Sequence, residues 1–206
     1  MKNITSIFAF LALVALVSCG GGETPPEGKT TSEVGETTGS TYTIDTEQSV
    51  IKWTGSMIAA YAHTGVVKVA GGTFTTENGA ITSGTVTIDM TTIGAVDKNF
   101  NPDAGRTREV LAGDLRSADF FDVENHPTAT FTIDNAGSGA FAGDLTVKGV
   151  AKNLKISASV NETADGASVG GAFTFNRQDF GVTYTNTMSD MVVSDDVKIT
   201  FRLIGK

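Results

Sequence analysis

Two stretches, Leu154-Lys155-Ile156-Ser157-Ala158-Ser159-Val160-Asn161 and Val197-Lys198-Ile199-Thr200-Phe201-Arg202-Leu203, alternate apolar and polar side chains without a break. A strand sends successive side chains to opposite faces, so this period of two predicts strands with one apolar and one solvated face. The same alternation recurs at Ile51, Trp53 and Met57, at Val86, Ile88 and Met90, at Ala129, Phe131 and Ile133, and at Leu145 and Val147. Val169, Phe173 and Phe175 share one face of a further strand. Asn78-Gly79, Ser138-Gly139 and Asp165-Gly166 fall between runs and suit tight hairpin turns. The fold class is therefore all-β, with about eight antiparallel strands and mostly short connections; such a sheet closes into a barrel or folds into a sandwich.

Alternation leaves open which face points inward. The polar face carries Lys148, Lys155, Lys198 and Arg202, and the aromatic girdles of an outer-membrane barrel are missing. We therefore assign the apolar face to the interior.

Composition narrows the function classes. The formal net charge is −8, and no basic stripe exists to meet phosphates, which excludes nucleic acid as a partner. The chain has one cysteine, Cys19, so no internal disulfide forms. Two histidines, His63 and His126, cannot build a zinc site alone, and no cofactor or metal is expected.

The first residues read as a targeting segment. Lys2 supplies a positive charge, and the apolar run Ile7 to Val17 is shorter than the ~20 residues a spanning helix needs. Leu16-Val17-Ser18-Cys19 resembles the lipobox of bacterial lipoproteins, in which cleavage precedes the cysteine and its sulfur takes a diacylglycerol. Residues 1–18 would then be a signal peptide, and acylated Cys19 would anchor the chain to a membrane. Residues 19–40, rich in Gly, Thr, Glu and Pro, read as a tether that as a coil spans about 25 Å. The barrel domain follows over residues 41–206.

One segment interrupts the strands. Asn101-Pro102-Asp103 is a helix-start signal, Gly113 a plausible C-cap, and Val110 and Leu111 the apolar contacts between them. A turn from Leu115 then delivers the adjacent rings Phe120 and Phe121. Long insertions between strands are where function concentrates. The pair either plugs the core or lies across one end of the barrel as a partial lid.

Leu115-Arg116-Ser117-Ala118-Asp119-Phe120-Phe121-Asp122-Val123, followed by Pro127 and Phe131, resembles the signature of the YceI-like family of bacterial lipid-binding proteins. Tyr42-Thr43-Ile44-Asp45 with Val50-Ile51-Lys52-Trp53 resembles its first strands, and Gly143 to Val150 its next hairpin strand. Asn176-Arg177-Gln178-Asp179-Phe180-Gly181-Val182 with Asp195-Asp196-Val197 resembles its C-terminal pair of motifs. The resemblance implies a lipocalin-like barrel that holds a long polyisoprenoid chain and carries no general catalytic activity. Its partners would be an isoprenoid or other long-chain lipid and, through the anchor, a membrane; a homodimer is left open. The implied location is the bacterial cell envelope, facing the periplasm or cell surface.

The ligand-binding set expected from these readings is Trp53, Val86, Ile88, Met90, Phe120, Phe121, Phe131, Ile133, Leu145, Val147, Ile156, Phe173, Phe175, Arg177 and Phe201. Small residues in the same phase, Gly55, Ala129, Gly149, Ala158 and Gly171, point to open space of several hundred Å³. Arg177 has two readings: a cation for an anionic head group, or an ion pair with Asp179, Asp195 or Asp196. No nucleophile-elbow pattern occurs, and no catalytic residue is assigned. A lipid-anchored interaction module with a filled barrel, or a hydrolase, is the alternative.

Overall fold

The computed structural model describes residues 39–57, 61–137, 139–184 and 192–206. The targeting segment, Cys19 and most of the tether lie outside them. The strands are β1 (Ser40–Thr43), β2 (Val50–Met57), β3 (Ala62–Glu77), β4 (Ala80–Ala95), β5 (Thr128–Gly137), β6 (Ala140–Val147), β7 (Val150–Thr163), β8 (Gly166–Asn176) and β9 (Val193–Gly205). All pairings are antiparallel. β2 through β9 form the ring β3-β2-β9-β8-β7-β6-β5-β4, and the β3–β4 ladder closes it. The fold is an eight-stranded antiparallel barrel. Short β1 continues the place of β2: it pairs with the far half of β3, and Ile44 bridges to Gly205 of β9.

The apolar phase faces inward. Ile156 and Val169 are fully buried, while Lys155, Lys198 and Arg202 stand exposed. Bulges break the period of two in β3 and β4. Ala70 is the extra residue between the pairs Val69–Ile88 and Gly71–Thr87, so the inward positions change from Val67 and Val69 to Phe74 and Thr76. Here the backbone bends through Gly72 at φ +140°, where an added Cβ would lie 2.1 Å from the carbonyl oxygen of Thr85.

Several expectations of phase, turn and cap need correction. Gly149 forms a two-residue turn with Lys148, both at positive φ, and so lies outside the barrel interior. The turn at the β7–β8 hairpin is Ala164-Asp165, with Gly166 already paired to Thr163. Asn101 caps only a single 3-10 turn, Pro102–Ala104, which ends at Gly105 in the left-handed region. The helix proper, α1 (Arg108–Arg116), has Thr107 as N-cap, its side chain accepting from the Val110 N–H, and Ser117 as C-cap. Gly113 is inside α1, and Val110 faces solvent at 51% exposure. Leu111 and Leu115, four residues apart, are its inward contacts.

Candidate functional site

Inside the barrel is a cavity of about 270 Å³. All fifteen residues of the expected set line it: Trp53, Val86, Ile88, Met90, Phe120, Phe121, Phe131, Ile133, Leu145, Val147, Ile156, Phe173, Phe175, Arg177 and Phe201. Gly55 and Ala129 also line it. Ala158 does not; it sits at the far end of the barrel beside a separate depression. Gly171 is in phase, but the ring of Phe201 covers its position, leaving a Cβ only 2.8 Å away. Sequence reasoning missed Phe74, Ile81, Val67 and Phe141, which also line the cavity.

The lining is asymmetric along the barrel axis. Its polar side chains cluster at the end nearest α1: Ser56, His63 and Ser194 from the ends of β2, β3 and β9, Asp114 from α1 itself, and Arg177 and Tyr184 from the segment after β8. Phe74, Ile81, Phe141, Val169 and Leu203 line the opposite end. The cavity thus has a polar mouth and an apolar depth, the arrangement that suits an amphiphile lying lengthwise.

The insertion builds the mouth. Leu115 is buried, and past Ser117 the chain folds back so that the Phe121 N–H donates to the Leu115 carbonyl and the Val123 N–H to the Arg116 carbonyl. Arg116 donates to the Ile93 carbonyl at 3.1 Å, tying the helix to β4. Phe120 stacks on Tyr184, ring centroids 4.5 Å apart, and lies 6.5 Å from Phe121. Both rings are half-buried and face the cavity, so they cover the mouth without filling the core.

Arg177 is buried on the 3-10 turn Arg177–Phe180. Its Nε donates to Ser194 O at 3.1 Å, Nη1 to Val182 O at 2.7 Å, and Nη2 to Asp195 Oδ1 at 3.0 Å. Among the anticipated partners it is Asp195 that pairs, while Asp179 and Asp196 stand exposed. The guanidinium fastens the start of β9 to the turn beneath Phe175, where Phe180 packs edge-on at 5.2 Å.

His63 lies at the start of β3 and lines the mouth. Its Nδ1 is 3.2 Å from Asp97 Oδ1, and its ring stacks on Phe100 at 4.8 Å. Burial raises the Asp97 pKa, but the N–H groups of Asn99 and Thr64 and the His63 contact outweigh it and hold the carboxyl below its usual range. Asp97 is therefore a loop clasp that gathers three donors. His126 lies in the turn after Phe121, against Gly149, with Asp122 at 4.0 Å. Among the described residues, no group of three or more His, Cys, Asp or Glu is placed to hold a metal ion.

Trp53, the only tryptophan, lies with its ring over Gly65 of β3, so close that a Cβ there would be 2.3 Å from its ring carbons. Its indole Nε1 is buried without a hydrogen-bond partner among the described residues, so packing alone holds the ring.

The YceI-like domain matches residues 42–204. The chain belongs to the YceI-like family. Among solved structures, the YceI-like barrel is similar to Burkholderia cenocepacia BcnA, at 20% identity, with a TM-score of 0.58 over 79% of this chain and 99% of that one. It is also similar to a polyisoprenoid binding domain from Saccharophagus degradans implicated in plant cell wall breakdown, at 14% identity, with a TM-score of 0.57 over 80% of this chain and 97% of that one. At these identities the likeness is one of fold. A UPF0312 protein of Staphylococcus aureus is 24% identical over 119 residues, 53% of this chain and 70% of that protein. This YceI-like chain thus shares its barrel fold with both solved structures.

Proposed function

We propose that this protein binds the apolar chain of a long lipid, an isoprenoid, inside its barrel, without chemical turnover. The observation that carries this reading is the cavity, apolar in its depth and polar at its mouth. Desolvating the chain would favour binding by about 0.8 kcal/mol per buried CH₂ group. The isoprenoid class is supported by the likeness of fold to the polyisoprenoid binding domain. We place the protein at the bacterial cell envelope, held through acylated Cys19, on the strength of Leu16-Val17-Ser18-Cys19.

The His63–Asp97 pair is the one feature that favours a hydrolase. A nucleophile would have to share the other ring nitrogen, and among the described residues no serine hydroxyl hydrogen-bonds His63. Asp97 is also engaged by two backbone N–H groups, as a structural clasp is.

Native mass spectrometry of lipid released from the purified protein tests the proposal, together with titration of a prenol into delipidated protein followed by Trp53 fluorescence. A co-purifying prenyl lipid and a saturable response are expected. No bound lipid and no response would leave the barrel as a structural module.

A further inference from the structure

We propose that the barrel has a second port, opposite the mouth, that receives the distal end of the bound chain. The inference rests on the carrier reading above and extends it to chain length. The β4–β5 ladder stops at the pair Gly84–Ile133. The hairpins on either side run on: β3–β4 to Glu77–Ala80, and β5–β6 to Gly137–Ala140. Two hairpins that continue after their shared ladder has ended leave a notch in the barrel wall.

A separate cavity of about 250 Å³ occupies that notch. Gly79 and Gly139 at the hairpin tips form its rim, and Ala158 and Val160 of β7 form its wall. Ile81 and Phe141 line both this cavity and the main one. Two apolar side chains therefore stand between the lumen and the notch. Beyond Val160 the next residue in phase is Glu162, whose carboxylate accepts from the hydroxyl of buried Thr76, so the apolar wall ends there.

The occupant follows from continuity and volume. The main cavity of about 270 Å³ lies just under the ~300–1,000 Å³ of ordinary ligand pockets. A chain of many isoprene units exceeds it, and every methylene left in water forfeits its transfer free energy. Displacing Ile81 and Phe141 joins the lumen to this space, where Ala158 and Val160 present apolar side chains. The ligand part taken here is the uncharged hydrocarbon end, since the residues that line the notch carry no charge and the carboxylate of Glu162 stands beyond them.

The test compares a short prenol, farnesol, with a long one, solanesol, delivered from detergent to delipidated full-length protein. Trp53 fluorescence reports occupancy of the main cavity for both. Ala158→Phe fills the notch, leaves the main lining intact and keeps Trp53 the only tryptophan. We expect it to weaken solanesol about tenfold or more, the weight of two buried CH₂ groups, and to leave farnesol within about twofold. Equal effects on both prenols, or none on either, would overturn the port. Wild-type protein that binds farnesol but not solanesol would also overturn it while sparing the carrier reading; binding neither removes both. A long prenol with a photoreactive diazirine at its hydrocarbon terminus tests the wild-type chain, should the variant misfold. Crosslinks at Phe141, Ala158 or Val160 support the port, and crosslinks confined to the mouth at Met57 and Phe120 exclude it.

Discussion

Arg177→Met deletes the guanidinium donors and keeps an apolar stem. The guanidinium makes charge-assisted bonds to the backbone carbonyls of Ser194 and Val182 and to the Asp195 carboxylate, with a longer, weaker one to the Val193 carbonyl at 3.5 Å. Removing one partner of a buried ion pair costs about 3–5 kcal/mol. Here Asp195 is 42% exposed and rehydrates when stranded, so the loss falls mainly on the two carbonyls, at roughly 1.5 kcal/mol each. The expected destabilisation is therefore about 3 kcal/mol. For a domain of this size that is a fall of about 6–12 °C in Tm, or about 1–1.5 M in urea midpoint. Thermal and urea unfolding of the delipidated proteins measures it, with Arg177→Lys intermediate because one ammonium cannot replace the fork. Below its melting range the Met variant should bind a neutral prenol as wild type does. A variant within about 2 °C of wild type would refute the clasp. Unchanged stability with selective loss of an anionic prenyl ligand would return Arg177 to head-group recognition.

Two other outcomes are expected. Cys19→Ser should leave an unprocessed precursor, seen as a larger band in a membrane-fraction immunoblot; a variant still cut before position 19 and released would count against lipidation. Asp97 is held below its usual pKa, so its ionised form stabilises the fold above the unfolded value, and this contribution fades as pH falls through the folded value. The Tm gap between wild type and Asp97→Asn should therefore be full near pH 7 and close below about pH 4; a gap that widens on acidification would contradict the clasp.

How far the sequence could be read depended on where its strands keep phase. β7 and β9 run without an inward parity change; Val197, Ile199, Phe201 and Leu203 of β9 and Ile156 of β7 line the lumen, as their phase predicts. In β4 the inward positions are Ile81, then Val86, Ile88 and Met90, then Ile93 and Ala95, because extra residues enter near Thr82 and again around Met90. The second shift is a local turn: the Thr92 hydroxyl donates to Asp89 O and accepts from Lys68 N–H. A strict period of two loses phase at each point, which is why Phe74 and Ile81 went unread. The insertion failed differently. Asn101-Pro102 is a sound start signal, but Gly105 ends its single turn, and the helix restarts at Thr107 with its own cap.

Small inward residues in a sequence suggest empty space, and the structure gives a more specific account. Trp53 lies over Gly65, Phe131 over Gly143, Phe201 over Gly171, and Phe74 over Gly205. In each case an added Cβ would meet ring carbons at 2.3 to 2.8 Å. In the first three cases neighbouring strands thus exchange side-chain volume, one giving up its side chain while the other lays a ring against the bared backbone; Phe74 of β3 reaches past β1 to do the same at Gly205 of β9. An eight-stranded barrel is wide enough either to fill with side chains or to hold one small ligand. Rings that stood up from every inward position would fill it. Rings that lie along the wall give an apolar lining and keep the axis clear. A methyl group at Gly171 would meet the Ser157 carbonyl oxygen at 2.6 Å and the Phe201 ring at 2.8 Å, straining the β7–β8 ladder and pushing the ring from its place, so the glycines, as much as the aromatic residues, shape the cavity.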